Sequence, residues 1–236
     1  FTYAATEADF EQLISTETAA VFIETPTNPL MTEVSIERIA AWTKKHHAQL
    51  IVDNTFYTPL IQRPLDLGAD VVLHSATKYL GGHNDLLAGA VIARSQEVGD
   101  KLSYQLNTTG AVLAPFDCWL LIRGLKTLSL RMARHEANAR EVVQFLKESP
   151  LVKEVLYPGR GGMLSFKIKD QRLIKDFLRQ LKTFTFAESL GGVESLITYP
   201  TTQTHADIPE ALREAYGLTA DLLRISTGIE AVADLV

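Results

Sequence analysis

The chain has 236 residues, 46% of them apolar and 22% charged, with a formal charge of −5 at pH 7. These values describe a globular chain with a sizeable core, as one large domain or two modest ones. The mild acidity gives no electrostatic ground for a nucleic-acid or membrane partner, and no apolar run has membrane-spanning length; the single cysteine, Cys118, excludes an internal disulfide and fits a reducing, cytoplasmic setting.

The opening "FTYAATEADF" begins without Met and has neither a basic flank nor a long apolar core, so it does not read as a signal peptide. "AAVFIE" (19–24) has the length of a strand and ends at "TPTNPL". "IERIAAW" carries Ile36, Ile39 and Ala40 at helical spacing, with Ser35 placed to cap it. "QLIVDN" (49–54), "ADVVLHS" (69–75) and "LLAGAVIA" (86–93) read as further strands. Unbroken apolar strands alternating with helices or long connections predict a buried, mostly parallel sheet of α/β type.

The pattern then changes. Residues 115–147 read as one long helix with Gly124 as its only interruption, and "SPLVKEVLYPGRGG" (149–162) reads as a break rich in Pro and Gly. "GMLSFKI" predicts a strand, "QRLIKDFLRQL" a helix, and "TFTFAESLGG" a strand with a glycine turn. Two regions result, 1–124 and 125–236, the second beginning inside the long helix and forming a smaller α+β unit. The chain has no internal repeat, low-complexity tract or block of like charge.

Chemistry concentrates at "DVVLHSATKYLGGHND" (70–85). Ligands of open α/β sheets bind outside the carboxyl ends of the strands, and this loop follows such an end. Ser75 and Thr77 can donate hydroxyl hydrogen bonds to a phosphate, helped by exposed backbone N–H groups. Lys78 can attack a carbonyl as an amine nucleophile. Asp53, closing the strand "QLIVDN", can face the same crevice, where a buried carboxylate would keep a pyridine nitrogen protonated, as pyridoxal phosphate requires. Each residue also has an ordinary reading: a solvated surface lysine, a turn-forming aspartate, loop hydroxyls. His74 and His83 read as packing or loop residues, His46 and His47 as a solvated helix end, His135 as a helix residue among charges with no role, and Cys118 as a packed thiol. No His, Cys and carboxylate set has metal-ligand spacing, and "GGHNDLLAG" has neither dinucleotide nor P-loop spacing.

"DVVLHSATKYLGGHN" resembles the lysine signature of the Cys/Met-metabolism family of pyridoxal-phosphate enzymes. "ETPTNPL" (24–30), "IVDNTFYTP" (51–59), "RGLKTLSLRM" (123–132), "GGMLSF" (161–166), "AESLGGVESL" (187–196) and "LLRISTGIE" (222–230) resemble family segments in the same order. "ITYPTTQTHADIPEALR" is similar to the bacterial branch of cystathionine γ-synthases and O-acetylhomoserine thiol-lyases. The resemblance implies the fold-type I transferase fold, with residues 1–124 as an incomplete cofactor-binding region, and pyridoxal 5'-phosphate as cofactor. It implies Lys78 as the lysine joined to the cofactor, Asp53 at the ring nitrogen, Ser75 and Thr77 at the phosphate, and Asn28 at the phenolic oxygen. It implies Arg224 as the grip on the substrate carboxylate, with Ser189 in the "SLGG" turn helping. Glu188 stands where members working at Cγ often carry an acid.

The reaction implied is γ-replacement on an O-acylhomoserine by cysteine or sulfide. Lyase chemistry (β- or γ-elimination) and an inactive fragment are the alternatives. The resemblance further implies small amino-acid substrates and a homo-oligomer, a dimer of dimers. The family's first third, with its ring-stacking tyrosine and Gly-rich phosphate turn, has no counterpart here. "YPGRGGMLSF" is also short beside the longer loop of many relatives.

Overall fold

A computed structural model describes residues 6–236; the first half of the opening decapeptide, residues 1–5, lies outside the described residues. The elements in chain order are α1 (Glu7–Leu13), β1 (Ala20–Glu24), α2 (Ile36–Lys45), β2 (Gln49–Asp53), α3 (Thr58–Ile61), β3 (Val71–Ser75), β4 (Gly89–Ala93), α4 (Gln96–Thr109), α5 (Pro115–Leu125) and α6 (Leu128–Glu148). They continue with β5 (Val152–Leu156), β6 (Met163–Ile168), α7 (Ile174–Gln180), β7 (Thr185–Phe186), β8 (Leu196–Thr198), α8 (Glu210–Ala215) and β9 (Leu222–Ser226).

β-Branched residues in "VFI", "IV" and "VV" favour extended backbone and form a first sheet of order β1-β2-β3-β4. β1, β2 and β3 are parallel, and β4 returns antiparallel to β3. Val21, Ile23, Leu50, Val52 and Val72 pack one face against Ile36 and Ile39 of α2. The Ser35 side chain caps α2 by accepting the Arg38 N–H at 3.2 Å. The sheet is not buried on both faces as the apolar runs predict: Phe22 and Val91, on the opposite face, are 57% and 50% exposed. Burial along β1 alternates with the pleat.

The second sheet has the order β5-β6-β9-β8-β7 and is antiparallel except for β7 with β8. α6 covers it with Ala139, Val142, Val143 and Leu146 against Leu164, Phe166, Ile197, Leu223 and Ile225. A third cluster, including Ala76, Tyr79, Leu80, Leu128, Met132, Met163 and Leu190, lies between the two sheets.

Several sequence expectations change. The long helix divides at Lys126–Thr127, not at Gly124. Gly124 is a close-approach site, since a Cβ there would overlap the Gly81 carbonyl. The Pro- and Gly-rich segment 149–162 contains β5, and the strand expected over 183–192 shortens to two residues. α1, α4 and α8 have no counterpart in the sequence reading. His135, the helix residue to which the sequence gave no role, is fully buried. Its Nδ1 lies 2.7 Å from the Thr227 carbonyl oxygen, and its ring packs edge-on to Tyr79.

Candidate active site

The parallel strands end together. Glu24 is in register with Asp53, and Asp53 with Leu73. Side chains alternate along each strand, so Glu24, Asp53 and Ser75 stand on one face, opposite α2. The chain beyond β3 then folds back tightly: the N–H groups of Lys78, Gly81 and Gly82 donate to the carbonyls of Ser75, Ala76 and Lys78 at 3.2, 2.8 and 2.7 Å. Lys78 is therefore held at the carboxyl edge of the sheet.

The two candidate phosphate hydroxyls differ. Thr77 Oγ1 accepts the Ala88 N–H at 3.0 Å and lies 3.3 Å from the Ala88 carbonyl as a donor, so its proton is engaged within the loop. The Ser75 hydroxyl has no partner among the described residues, while the Ser75 N–H donates to Thr55 Oγ1 at 2.8 Å. Asp53 Oδ1 accepts the Thr55 N–H at 2.9 Å.

The second sheet brings Arg224 from the middle of β9, with Ser165 of β6 and Thr198 of β8 as its register neighbours. Arg224 is 1% exposed. One terminal nitrogen donates to Asn28 Oδ1 at 2.9 Å. The other donates to the Glu188 and Ser189 carbonyls at 2.7 and 3.2 Å and to Thr198 Oγ1 at 2.8 Å. Its Nε–H is buried without a partner. Lys78 Nζ lies 3.4 Å from Ser189 Oγ. Gly191, two residues further, has φ +76°, and a Cβ there would come within 2.7 Å of the Tyr79 nitrogen, so this turn can only lie on the lysine loop as glycine.

The structure thus joins Asn28, Lys78, Ser189 and Arg224 in one contact network, with Asp53 and Ser75 on adjoining strand ends. Glu188 joins it through its backbone, while its side chain is exposed. Glu24, Thr198 and His205 also belong here, although the sequence reading gave them no role. Glu24 was legible in principle, two strands' ends sharing one pleat face. Thr198 and His205 were not, because their place depends on sheet register and a long loop.

Burial shapes the electrostatics. It lowers the Lys78 ammonium from its ordinary range, and the Arg224 charge adds to that. Burial also lowers Arg224, to about 10. It raises Glu24 to about 7, with Asp53 adding to the rise and the Asn28 N–H and Arg224 opposing it. A lysine with its charge disfavoured is an amine ready to act as nucleophile or base. An acid on a strand end, a free hydroxyl donor and an unsatisfied buried guanidinium N–H complete a donor set that fits pyridoxal phosphate and an amino-acid carboxylate.

A family profile described as "Cys/Met metabolism PLP-dependent enzyme" matches residues 1–236. The cystathionine gamma-synthase/O-acetylhomoserine (thiol)-lyase of Bacillus subtilis (strain 168) is 61% identical over 222 residues, 94% of this chain and 60% of that protein. The cystathionine beta-lyase of Lactococcus lactis subsp. cremoris (strain MG1363) is 48% identical over 244 residues, 97% of this chain and 64% of that protein. The solved structure of cystathionine gamma-lyase from Lactobacillus plantarum complexed with L-serine superposes with a TM-score of 0.95 at 40% identity, covering 100% of this chain and 66% of that one. The chain therefore spans from 60% to 66% of the length of these relatives.

Proposed function

Since the chain belongs to the Cys/Met-metabolism family of pyridoxal-phosphate enzymes, of fold type I, we propose that it carries out γ-replacement on an O-acylhomoserine. The ester's acyl group leaves Cγ as a carboxylate, and a thiol, cysteine or sulfide, forms the new C–S bond there with loss of its proton. Bound pyridoxal phosphate supplies the electron sink that makes the Cα and Cβ hydrogens removable.

The protein's part follows from its geometry. Lys78 Nζ, its charge disfavoured by burial and close to Ser189, takes the Cα proton and returns protons later. Arg224 receives the substrate carboxylate with its unpartnered Nε–H. Asp53 holds the ring nitrogen, Ser75 the phosphate with Thr77 fixing the loop around it, and the Asn28 amide, whose oxygen is engaged by Arg224, turns its NH2 to the phenolic oxygen.

The observation that carries the replacement reading is the position of Glu188. Its carbonyl lies on Arg224, the next residue lies on Lys78, and its exposed carboxylate interacts with the Arg224 charge beside the site. A carboxylate there can orient the ammonium group of an incoming cysteine. Greater identity to the synthase/thiol-lyase than to the β-lyase supports the same reading. Elimination is the second reading, favoured by the close superposition on a γ-lyase.

O-Acetyl- or O-succinylhomoserine plus cysteine should yield cystathionine, and sulfide should yield homocysteine. Glu188→Ala should weaken use of cysteine several-fold more than use of sulfide. Equal losses would remove Glu188 from thiol selection. Rapid release of pyruvate or 2-oxobutanoate from cystathionine would move the chain to a lyase activity.

A further inference from the structure

Glu24 closes β1 beside Asp53 and has no part in the proposed chemistry. Its Oε2 accepts the Asn28 N–H at 3.1 Å. The Asn28 side chain in turn accepts the Arg224 N–H at 2.9 Å. These bonds run from the first sheet, through a loop, to the guanidinium in the second sheet. The loop is also held from the far side, where Ser165 Oγ donates to the Pro29 carbonyl at 2.6 Å. Around Arg224, one terminal nitrogen is fully taken by Glu188, Ser189 and Thr198. What remains for a ligand is Nε–H.

We propose that Glu24 is a positioning residue that sets Asn28 against Arg224, so that the guanidinium holds its unpartnered Nε–H ready for the substrate carboxylate. The proposal rests on the reading of Arg224 as the carboxylate grip. Truncating Glu24 frees the Asn28 backbone and lets the amide, and with it the guanidinium fork, turn away.

A second consequence concerns charge. Asp53 from β2, Arg224 from β9, Lys78 and Tyr79 from the loop after β3, Glu188 from the turn after β7 and His205 from the loop after β8, with Arg213 of α8 beside it, are the charged or titratable groups around this network among the described residues. His205 is lowered by burial and then by Arg224, while its contact with the Asn28 backbone opposes that. Burial raises Glu24 to about 7. A carboxylate arriving at Arg224 adds another negative charge to this poorly solvated region and raises Glu24 further. Binding then takes up a proton, and affinity falls as pH rises above about 7.

The test uses the cofactor-loaded protein and butyrate, a carboxylate with no amino group to react. Binding is followed by cofactor absorbance and by calorimetry in two buffers of different ionisation enthalpy, across the pH range from about 6 to about 9. The wild type should bind butyrate with proton uptake and weaken about tenfold across this range, a change of about 1.4 kcal/mol. Glu24→Gln keeps an acceptor for the Asn28 N–H but cannot titrate, so its affinity should match the wild type at low pH and stay level. Glu24→Ala should bind about tenfold more weakly throughout, and if it does not fold, the glutamine variant carries the test alone. A glutamine variant that follows the wild-type pH dependence, or an alanine variant of wild-type affinity, overturns the proposal. Arg224→Lys separates the two readings: loss of butyrate binding upholds the carboxylate grip whatever Glu24 does, and unchanged binding overturns both.

Discussion

Lys78 sits where two effects disfavour its ammonium, burial first and the Arg224 charge second. Such an amine is a better nucleophile than an exposed lysine, whose ammonium nothing disfavours. Borohydride reduction of the cofactor-loaded protein followed by peptide mapping should therefore fix the pyridoxyl group on Lys78, and a label on any other lysine would defeat the assignment. Lys78→Ala should lower turnover by about 10³-fold or more, since proton transfer at the substrate carbons loses its base. This residue was legible because its chemistry is local: Ser75, Thr77 and Lys78 fall within four positions after a strand. Even there the string did not separate the two hydroxyls. Thr77 bonds Ala88 across eleven positions, which only the fold reveals. Arg224 lay further out of reach of residue-level reading. Its partner Asn28 is 196 positions away, and its burial follows from a central place in the second sheet.

At the scale of elements, α6 holds a polar residue in its core stripe. Leu128, Met132, His135, Ala139 and Val142 follow one helical face, and all are buried. His135 Nδ1 donates to the Thr227 carbonyl, so Nε2 carries no proton and has no partner. Burial pushes this imidazole down to about 4. The unfolded chain accepts the proton near the ordinary 6.5 and the folded chain does not until about 4, so stability falls as pH drops through that window. The full loss is about 3 kcal/mol. Glu24 acts oppositely, since its raised value makes stability fall as pH rises from 4.5 to about 7. Urea unfolding of wild type against His135→Asn isolates the histidine. The variant keeps a donor for Thr227, so the difference between the two should change steadily between about pH 6.5 and 4; a constant difference would rule this out. The stripe itself was readable from the spacing of Leu128, Met132, Ala139 and Val142, and His135 falls on it. β1, β2 and β3 were readable as apolar runs because each has two or more β-branched residues. The break at Lys126–Thr127 was not, because neither residue opposes a helix; it is set by how α5 must approach Gly81 while α6 turns its stripe to the second sheet. α4 carried a Ser95 cap and Gly110 at φ +69°, but none of its side chains is buried, so no apolar stripe marked it.

At the scale of the whole molecule, the site exists because two sheets meet around the lysine loop, and Arg131 ties that loop to α5 and α6. It rises from α6, is 4% exposed and faces no carboxylate. Its terminal nitrogens donate to the Tyr79 carbonyl at 2.7 Å and the Gly124 carbonyl at 2.9 Å, and its Nε donates to Thr127 Oγ1 at 3.1 Å. One side chain thus fastens the end of α5, the start of α6 and the residue after Lys78. Gly82 must lack a side chain for this, as a Cβ there would overlap the guanidinium. A buried charge held by carbonyls and one hydroxyl adds little net stability, but removing it strands those carbonyls in a dry region. Arg131→Ala should therefore lower the unfolding free energy by about 3 to 5 kcal/mol. Arg131→Met, which refills the volume and removes the charge but still strands the carbonyls, should lose less. Urea midpoints give both values. If the tie positions the lysine loop, the methionine variant at a temperature where it is fully folded should also exchange the Gly81 and Gly82 amides faster than the wild type, while amides of β6 and β9 keep their protection. A loss below about 1 kcal/mol in the alanine variant, with unchanged loop exchange in the methionine variant, would show that the two sheets hold the lysine loop without Arg131.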